Sequence, residues 1–378
     1  MKIVDVGAVL LQPMPWVLVK VRTDEGITGI GEAYHGAGVH HIAVDERLTQ
    51  RALIGQDPRN VDKLFRDMKS SMSASGYYQG AVMSAISGIE MALWDITGQA
   101  IGVPIWQLLG GAYRDSIRVY NDCHAGDEDD NPASWAAKAK EVEARGFDAI
   151  KFDIDPRPDR RDHYNRTMSN SDIAFHIEVV TALREALHPN TDLLIDAHWA
   201  YAPHDILKVA YAFEALDLMW LEDPIPAENV AALKEVKNAT RTPICTGENL
   251  YTRHGFRELV ETQATDIISP DLAKAGGLSE GRSIADLADI YYIPISPHNI
   301  CSPIGTVAMC HTCAASPNFQ VLEFHHLDNE LWNSLTVERD LIVNGRIPLP
   351  QNPGLGVTLD EEVARSAARE NLGFFDAE

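Results

Sequence analysis

Three acidic residues stand at equal intervals along the chain, each at the end of a short apolar run. Asp196, Glu222 and Glu248 follow one another at spacings of 26 residues, which leaves room for one strand and one helix between successive acids. Parallel strands with this spacing bring three carboxylates to one end of a barrel, where they repel each other unless a cation lies between them. All-oxygen ligation favours Mg²⁺. Each acid taken alone could instead cap the helix that follows it.

Two histidines and two further acids also lie at or just after the ends of apolar runs. His198 lies two residues after Asp196, and the period-two alternation of a strand gives both side chains the same orientation. Asp271 and His298 end successive runs, so the carboxylate can lie beside the imidazole and fix its tautomer. Glu323 ends the last run, where it could share a proton, accept a bond from substrate or cap a helix. A lone histidine is more often structural, but a histidine paired with an acid beside a metal site favours a catalytic interpretation.

These groups suit the removal of a proton from the carbon next to a carboxylate. The negative charge that develops spreads onto the carboxylate, where a bound cation stabilises it. A neutral histidine is a suitable base for this step near neutral pH. A second, protonated group on another side of the substrate can then protonate a hydroxyl as it leaves the neighbouring carbon. The set therefore predicts proton abstraction followed by loss of water.

The elements that must position these residues form an alternating pattern of strands and helices. Eight apolar runs alternate with helix-length segments over residues 118–323. The runs are Arg118–Asn121, Ala149–Asp153, Leu193–Asp196, Met219–Glu222, Pro243–Thr246, Asp266–Ser269, Ile293–Ser296 and Gln320–Glu323. They are apolar throughout, which is typical of parallel strands covered on both faces. The pattern predicts an α/β fold, a modified (β/α)₈ TIM barrel whose active site lies at the carboxyl ends of its strands.

Two further blocks flank this barrel. Residues 1–112 predict an α+β capping domain, with a hairpin through Val17–Val21 and Gly29–Gly31 followed by helices around 39–54, 59–71 and 81–99. Residues 113–330 form the predicted catalytic barrel. Residues 331–378 do not repeat the strand–helix unit, and we expect them to return to the first block and complete the cap.

The composition excludes several classes of partner. The chain has 55 acidic and 32 basic residues, a net charge of −23 that repels nucleic acid and anionic membranes. This surface fits either a high-salt cytoplasm or an ordinary acidic cytosolic enzyme. Five cysteines argue against a disulfide framework, and we expect Cys310 and Cys313 to lie on a helix without a metal. We expect a cytoplasmic protein without a membrane segment, which forms a homo-oligomer and binds a small sugar acid.

Several short motifs in order resemble the enolase superfamily, mandelate racemase subgroup, and most closely its galactonate- and gluconate-dehydratase-like members. The resemblance covers essentially the whole chain. In the first block it is carried by Thr23-Asp24-Glu25-Gly26, Ile54-Gly55-Gln56-Asp57-Pro58, Ala92-Leu93-Trp94-Asp95-Ile96 and Trp106-Gln107-Leu108-Leu109-Gly110-Gly111. In the barrel it is carried by Leu221-Glu222-Asp223-Pro224, Gly247-Glu248-Asn249, Pro270-Asp271, Gly276-Gly277, Pro297-His298 and Pro353-Gly354-Leu355-Gly356.

The resemblance implies roles for the strand-end residues. It implies one Mg²⁺ per subunit on Asp196, Glu222 and Glu248, and a general base formed by His298 with Asp271. It also implies that His198, in the sequence Asp196-Ala197-His198, is the acid that expels the β-hydroxyl. Glu323 matches the glutamate of the last strand.

The second strand departs from the racemase pattern. Mandelate racemases carry Lys-x-Lys there, and the second lysine is the opposing base, whereas this chain reads Lys151-Phe152-Asp153. We therefore expect a dehydratase of an aldonate such as gluconate, galactonate or xylonate, which gives the 2-keto-3-deoxy acid. We predict that Lys151, Asp153 and His124 bind substrate, although Asp153 could equally cap the next segment. The alternatives are an epimerase or cycloisomerase on the same scaffold, and a non-catalytic relative.

Overall fold

The chain begins with a three-stranded antiparallel sheet in the order β1–β2–β3. The strands are β1 (Ile3–Leu10), β2 (Val17–Thr23) and β3 (Thr28–Ala33). The turn between β2 and β3 contains Gly26, whose φ of 81° suits glycine. This computed structural model describes residues 1–123, 131–155 and 166–375. The hairpin predicted from the sequence thus forms two of the three strands of this sheet.

Helices cover one face of this sheet and complete the N-terminal cap. They are α1 (Ala37–Ala43), α2 (Glu46–Leu48), a π-helical turn (Thr49–Leu53), α3 (Val61–Ser71), a 3₁₀ turn (Ser73–Ser75), α4 (Gly80–Ile101) and α5 (Ile105–Leu108). The long helix α4 packs directly on β3 because glycines remove the side chains between them. A Cβ atom on Gly31 would lie 2.1 Å from the carbonyl oxygen of Gly88. Helix α4 ends at Gly102, which takes the left-handed conformation common at helix ends.

Parallel strands and their helices form the barrel. The strands are β4 (Ser116–Cys123), β5 (Ala149–Asp153), β6 (Asp192–Asp196), β7 (Trp220–Glu222), β8 (Ile244–Thr246), β9 (Ile267–Ile268) and β10 (Leu322–Phe324). The helices are α6 (Pro132–Ala144), α7 (Asn170–Ala186), α8 (Pro203–Phe213), α9 (Val230–Ala239), α10 (Thr252–Glu261), α11 (Leu272–Ala275), α12 (Gly277–Asp289) and α13 (Pro303–Ala315). The strands pair in chain order from β4 to β9, and β10 returns to pair with β4.

The seventh predicted strand is reduced to one pairing residue. Ile295 bridges Ile268 on one side and Phe319 on the other, both in parallel, and so connects β9 with the segment that leads into β10. Pro294 and Pro297 flank this position, and neither can donate a backbone hydrogen bond. The ring is therefore continuous at this point, but the regular ladder is too short to form a strand.

The barrel interior changes from apolar to polar toward the carboxyl ends of the strands. One buried cluster consists of strand residues and their immediate extensions, namely Tyr120, Ala149, Leu194, Trp220, Cys245, Ile267 and Val321. Strand alternation gives residues two positions further along the same orientation. Those positions hold Asp122, Lys151, Asp196, Glu222 and Glu323, all buried. A packed apolar layer thus forms the floor beneath a layer of ionisable groups.

The C-terminal segment contacts both the barrel and the cap. It contains α14 (Glu330–Ser334), β11 (Arg346–Pro348) and α15 (Glu361–Ala367), and β11 pairs antiparallel with β4. Its end joins the first sheet, where Arg369 N–H donates to the Leu10 carbonyl at 2.8 Å. The fold is the predicted barrel with an α+β cap that the C-terminal segment completes. The exact domain boundaries at residues 112 and 330 stay a prediction.

Two buried carboxylates of the cap bind the first residues of barrel helices. Glu32 accepts hydrogen bonds from the N–H groups of Ser302 and Gly305 at the start of α13, each at 2.9 Å. Glu90 accepts from Leu278 N–H at 2.7 Å near the start of α12. Burial raises the pKa of Glu32 and of Glu90 to about 7. These contacts attach the cap to the helices on both sides of His298.

Two expectations from composition concern cysteine and membranes. Cys310 and Cys313 lie on α13, buried and without a disulfide. Neither cysteine belongs to the two groups of side chains, among the described residues, that could hold a metal ion. Within those same residues, none of the helices has both the length and the apolar character needed to cross a bilayer.

Candidate active site

The three equally spaced acids meet at one end of the barrel. Asp196 and Glu222 end β6 and β7, and Glu248 lies two residues after β8. All three are buried, and each offers an oxygen within 4.8 Å of those of the other two. None of them caps the next helix, because α8, α9 and α10 begin after Ala202, Asn229 and Tyr251. The structure therefore favours the metal-binding interpretation over the capping one.

A buried lysine partly neutralises this cluster. Lys151 Nζ lies 3.1 Å from Asp196 Oδ2, 3.3 Å from Glu222 Oε2 and 2.8 Å from Glu323 Oε1. Asp122 Oδ2 is 3.5 Å from the same nitrogen. Burial alone would lower the pKa of Lys151, but these carboxylates raise it well above its ordinary value. Lys151 is therefore a permanent ammonium ion among four acids, and its predicted role in substrate binding stays a prediction.

The cluster keeps an excess of negative charge despite Lys151. Burial raises the pKa of Glu222 to about 8, and Asp196, Glu323 and Glu248 add to this effect. Glu222 Oε1 is buried and has no hydrogen-bond partner in the described part of the chain. An unpaired carboxylate oxygen in a buried site is costly. A divalent cation satisfies both the missing partner and the excess charge, so the residues present fit Mg²⁺.

A histidine–aspartate pair faces the same cluster from the side of β9. His298 Nδ1 lies 2.8 Å from Asp271 Oδ2, and its other nitrogen, Nε2, lies 3.2 Å from Glu248 Oε2. Burial alone would lower the pKa of His298, but Glu248, Glu323 and Asp271 raise it to about 9. Asp271 also caps α11 by accepting from Ala273 N–H at 2.8 Å. The predicted neighbours on adjacent segments are in contact.

A second histidine approaches the cluster from the side of β6. His198 Nε2 lies 3.7 Å from Asp196 Oδ2, and its backbone N–H donates to Asp196 Oδ1 at 2.9 Å. Burial alone would lower the pKa of His198, but Asp155, Asp196 and Asp153 raise it to about 11. His198 follows β6 and His298 follows the segment that pairs with β9, and these are not neighbours in the ring, so the two imidazoles approach the cluster from different sides.

The remaining predicted residues divide into three cases. Glu323 lies in the cluster, accepts from Asn299 N–H at 2.9 Å, and does not cap α14, which begins after Asn329. Lys151 and other charges lower the pKa of Glu323 even though burial opposes this. Asp153 is half-buried, and burial with the charges of Asp122 and Asp196 raises its pKa well above the ordinary value. His124 lies outside the described residues.

Comparison with known proteins places the chain in a family. Residues 4–110 match the mandelate racemase/muconate lactonizing enzyme N-terminal domain, and residues 134–363 match the enolase C-terminal domain-like family. The chain belongs to the mandelate racemase/muconate lactonizing enzyme family of the enolase superfamily. A D-xylonate dehydratase from Haloferax volcanii is 45% identical over 96% of this chain and 88% of the relative.

Two further comparisons agree with this assignment. A D-galactonate dehydratase from Ralstonia pickettii is 31% identical over 95% of this chain and 92% of its own length. The crystal structure of a mandelate racemase/muconate lactonizing enzyme-like protein from Rubrobacter xylanophilus has a TM-score of 0.94 and 42% identity. It covers 99% of both chains. Both matches extend over nearly all of this chain.

Three ionisable residues of this site were not predicted from the sequence. Asp122 contacts Lys151 and lies 3.3 Å from His325 Nδ1. Asp155 Oδ1 lies 2.8 Å from His198 Nδ1. Alternation along β4 and past β10 points Asp122 and His325 into the barrel, so the period-two pattern could have identified them. Asp155 follows its strand, where alternation no longer applies.

Proposed function

We propose that the chain is a Mg²⁺-dependent sugar-acid dehydratase. It removes the proton at C2 of an aldonate and eliminates the C3 hydroxyl as water, which gives a 2-keto-3-deoxy acid. The observation that carries this proposal is the presence of two histidines on different sides of one carboxylate cluster, His298 at 3.2 Å from Glu248 and His198 at 3.7 Å from Asp196. Elimination needs a base that removes the C2 proton and an acid that protonates the leaving C3 hydroxyl.

Asp196, Glu222 and Glu248 are the residues that would hold one Mg²⁺ in each subunit. When bound there, Mg²⁺ stabilises the negative charge that moves onto the substrate carboxylate. The charge of Glu248 is one cause of the raised pKa of His298, about 9, so a cation held by Glu248 would offset part of that effect. Lys151 remains beside Glu323 and Asp122 and limits the repulsion between them.

His298 takes the C2 proton on Nε2. Asp271 holds the other ring nitrogen at 2.8 Å, which keeps the proton on Nδ1 and leaves Nε2 free to accept. The pair is buried, so water does not compete for this orientation. Glu323 Oε2 lies 3.7 Å from His298 Nε2, close enough to stabilise the imidazolium that forms.

His198 donates a proton to the C3 hydroxyl as it leaves. Burial alone would lower its pKa, but Asp155, Asp196 and Asp153 raise it to about 11, which keeps the ring protonated and able to donate. Its ring is one-third exposed, so it lies toward the open end of the site. A substrate hydroxyl can reach it there.

The arrangement favours the dehydratase over an isomerase. A racemase of this family uses a lysine as a second base at the end of β5, where this chain has Asp153. The carboxylates 2.8–3.3 Å from Lys151 favour its charged form over the neutral amine that a base requires. The dehydratase names of the relatives at 45% and 31% identity support the same class of reaction.

The test is a screen of sugar acids with purified protein. D-xylonate, D-galactonate and D-gluconate are incubated with Mg²⁺, and the 2-keto product is measured by carbonyl trapping and identified by mass as substrate minus water. We expect turnover of at least one aldonate, loss of activity with EDTA, and recovery when Mg²⁺ is added. A C2 epimer or a lactone as the only product would favour the isomerase, and full turnover without a divalent cation would refute the metal assignment.

A further inference from the structure

His198 has an aspartate partner that mirrors the pair on the other side of the site. Asp155 Oδ1 lies 2.8 Å from His198 Nδ1, the same distance and the same ring nitrogen as in the Asp271–His298 pair. In both pairs Nε2 is the nitrogen that faces the carboxylate cluster. The two pairs differ in burial, because Asp271 is fully buried whereas the Asp155 side chain is 53% exposed.

The backbone beside Asp155 is fixed despite this exposure. The N–H of the preceding residue, Ile154, donates to the Asp196 carbonyl at 2.7 Å. The Ile154 carbonyl accepts from the hydroxyl of Tyr201, a buried residue whose oxygen also lies 3.1 Å from His176 Nε2. Ile154 is therefore held at both its N–H and its carbonyl, and Asp155 is the next residue along the chain.

The backbone of His198 is equally constrained. His198 and Trp199 have φ values of 40° and 55°, in the left-handed region that side-chain-bearing residues rarely occupy. Hydrogen bonds from His198 N–H to Asp196 Oδ1 and from Trp199 N–H to the Asp223 carbonyl, at 2.9 and 2.8 Å, hold this turn.

We propose that Asp155 is a positioning residue for His198. By accepting a hydrogen bond from Nδ1, Asp155 fixes the ring so that Nε2 points at the hydroxyl that leaves the substrate. An exposed ion pair of this kind contributes little to stability. The effect of Asp155 is therefore expected in the elimination step and not in folding. This inference rests on the proposed dehydratase function.

The test uses Asp155→Ala, which removes the hydrogen-bond acceptor, and Asp155→Asn, whose amide oxygen can still accept from Nδ1, is the rescue variant that should recover most of the rate. We measure kcat and KM with the aldonate that the wild type dehydrates fastest and with its 3-deoxy-3-fluoro analogue. Loss of fluoride needs little help from an acid. We expect kcat for hydroxide loss to fall about 10–100-fold, kcat for fluoride loss to stay within about threefold, and KM to change little.

A double-mutant cycle tests whether Asp155 acts through His198. If it does, adding Asp155→Ala to His198→Asn lowers kcat no further than about twofold. Asp62→Ala is the matched control, because Asp62 is also an exposed acid in an ion pair, with Arg66 on α3 at 3.1 Å. Thermal melting of each variant checks the fold.

Each failure has its own signature. A wild-type enzyme that forms no keto acid refutes the proposed function. A wild-type enzyme that dehydrates, with Asp155→Ala unchanged or equally slow for both leaving groups, refutes only the role of Asp155. A further loss of more than about twofold in the double variant also refutes it.

Discussion

Replacement of Asp271 by asparagine should disable the base without removing its hydrogen-bond partners. Asp271 is buried and binds two groups: Oδ2 lies 2.8 Å from His298 Nδ1, and Oδ1 accepts from Ala273 N–H at 2.8 Å. Asparagine has the same shape, but only one of its two terminal atoms can accept a hydrogen bond. The substitution therefore forces a choice between the two partners.

The helix cap decides that choice. Ala273 N–H can only donate, so the amide oxygen must stay on it and the amide NH₂ group must face His298. The imidazole can accept that bond only if Nδ1 carries no proton, which places the ring proton on Nε2. In this tautomer Nε2 cannot take the C2 proton from the substrate. The variant thus keeps the fold and the helix cap but holds the base in the wrong form.

The expected loss follows from these changes. A hydrogen bond to a charged group contributes about 1.5–3 kcal/mol, which corresponds to roughly 10–150-fold in rate. The cost of the wrong tautomer adds to this, so we expect a total loss of about 10²–10⁴-fold, the usual contribution of a general base. Deuterium exchange at C2 in D₂O, followed by NMR, measures the step directly, and carbonyl trapping measures the product.

The reasoning fails if Asp271→Asn exchanges the C2 proton within about threefold of the wild-type rate, well short of the loss expected for a disabled base. Thermal melting shows whether the variant is folded, because a melting temperature near that of the wild type excludes unfolding as the cause. Asp62→Asn on the cap is the matched control, since the Asp62 carboxylate is exposed and pairs with Arg66 instead of His298.

Three further predictions concern the metal, the acid and the cap. Glu222→Gln should weaken Mg²⁺ activation of turnover, measured as a rise of about 10-fold or more in the Mg²⁺ concentration needed for half-maximal rate. His198→Asn should slow keto-acid formation about 10²–10⁴-fold. Loss of fluoride from the 3-deoxy-3-fluoro analogue should slow much less. Burial raises the pKa of Glu32 from 4.5 to about 7. The stability that this shift contributes is therefore fully present below pH 4.5 and is lost as the pH rises through about 7. The cost of Glu32→Ala in the free energy of unfolding, measured by urea denaturation, should therefore be up to about 3 kcal/mol larger near pH 5 than near pH 8; the opposite sign would contradict the raised pKa.

The sequence by itself determined the barrel, its polar end and the main acids. Continuous apolar runs predict buried parallel strands, and a polar residue directly after such a run must lie at a strand end. Equal spacing was therefore sufficient to predict that Asp196, Glu222 and Glu248 meet. Adjacent strands likewise predicted the contact between Asp271 and His298. These inferences hold because each depends only on neighbouring strands. His198 lies beside Asp196 as predicted, but in a turn past the end of β6 with a φ of 40°, where the alternation that predicted it does not apply.

Only the tertiary structure decided which charges balance one another. Lys151 meets Asp122 and Glu323 as well as the predicted acids, because the ring closes and brings the first and last strands together. The pairing of Asp155 with His198 arises after the strands end, where the path of the backbone, and not a repeat, sets the distance. The state of each ionisable group follows from burial and from distances of about 3–4 Å across the barrel, and no spacing along the chain encodes these.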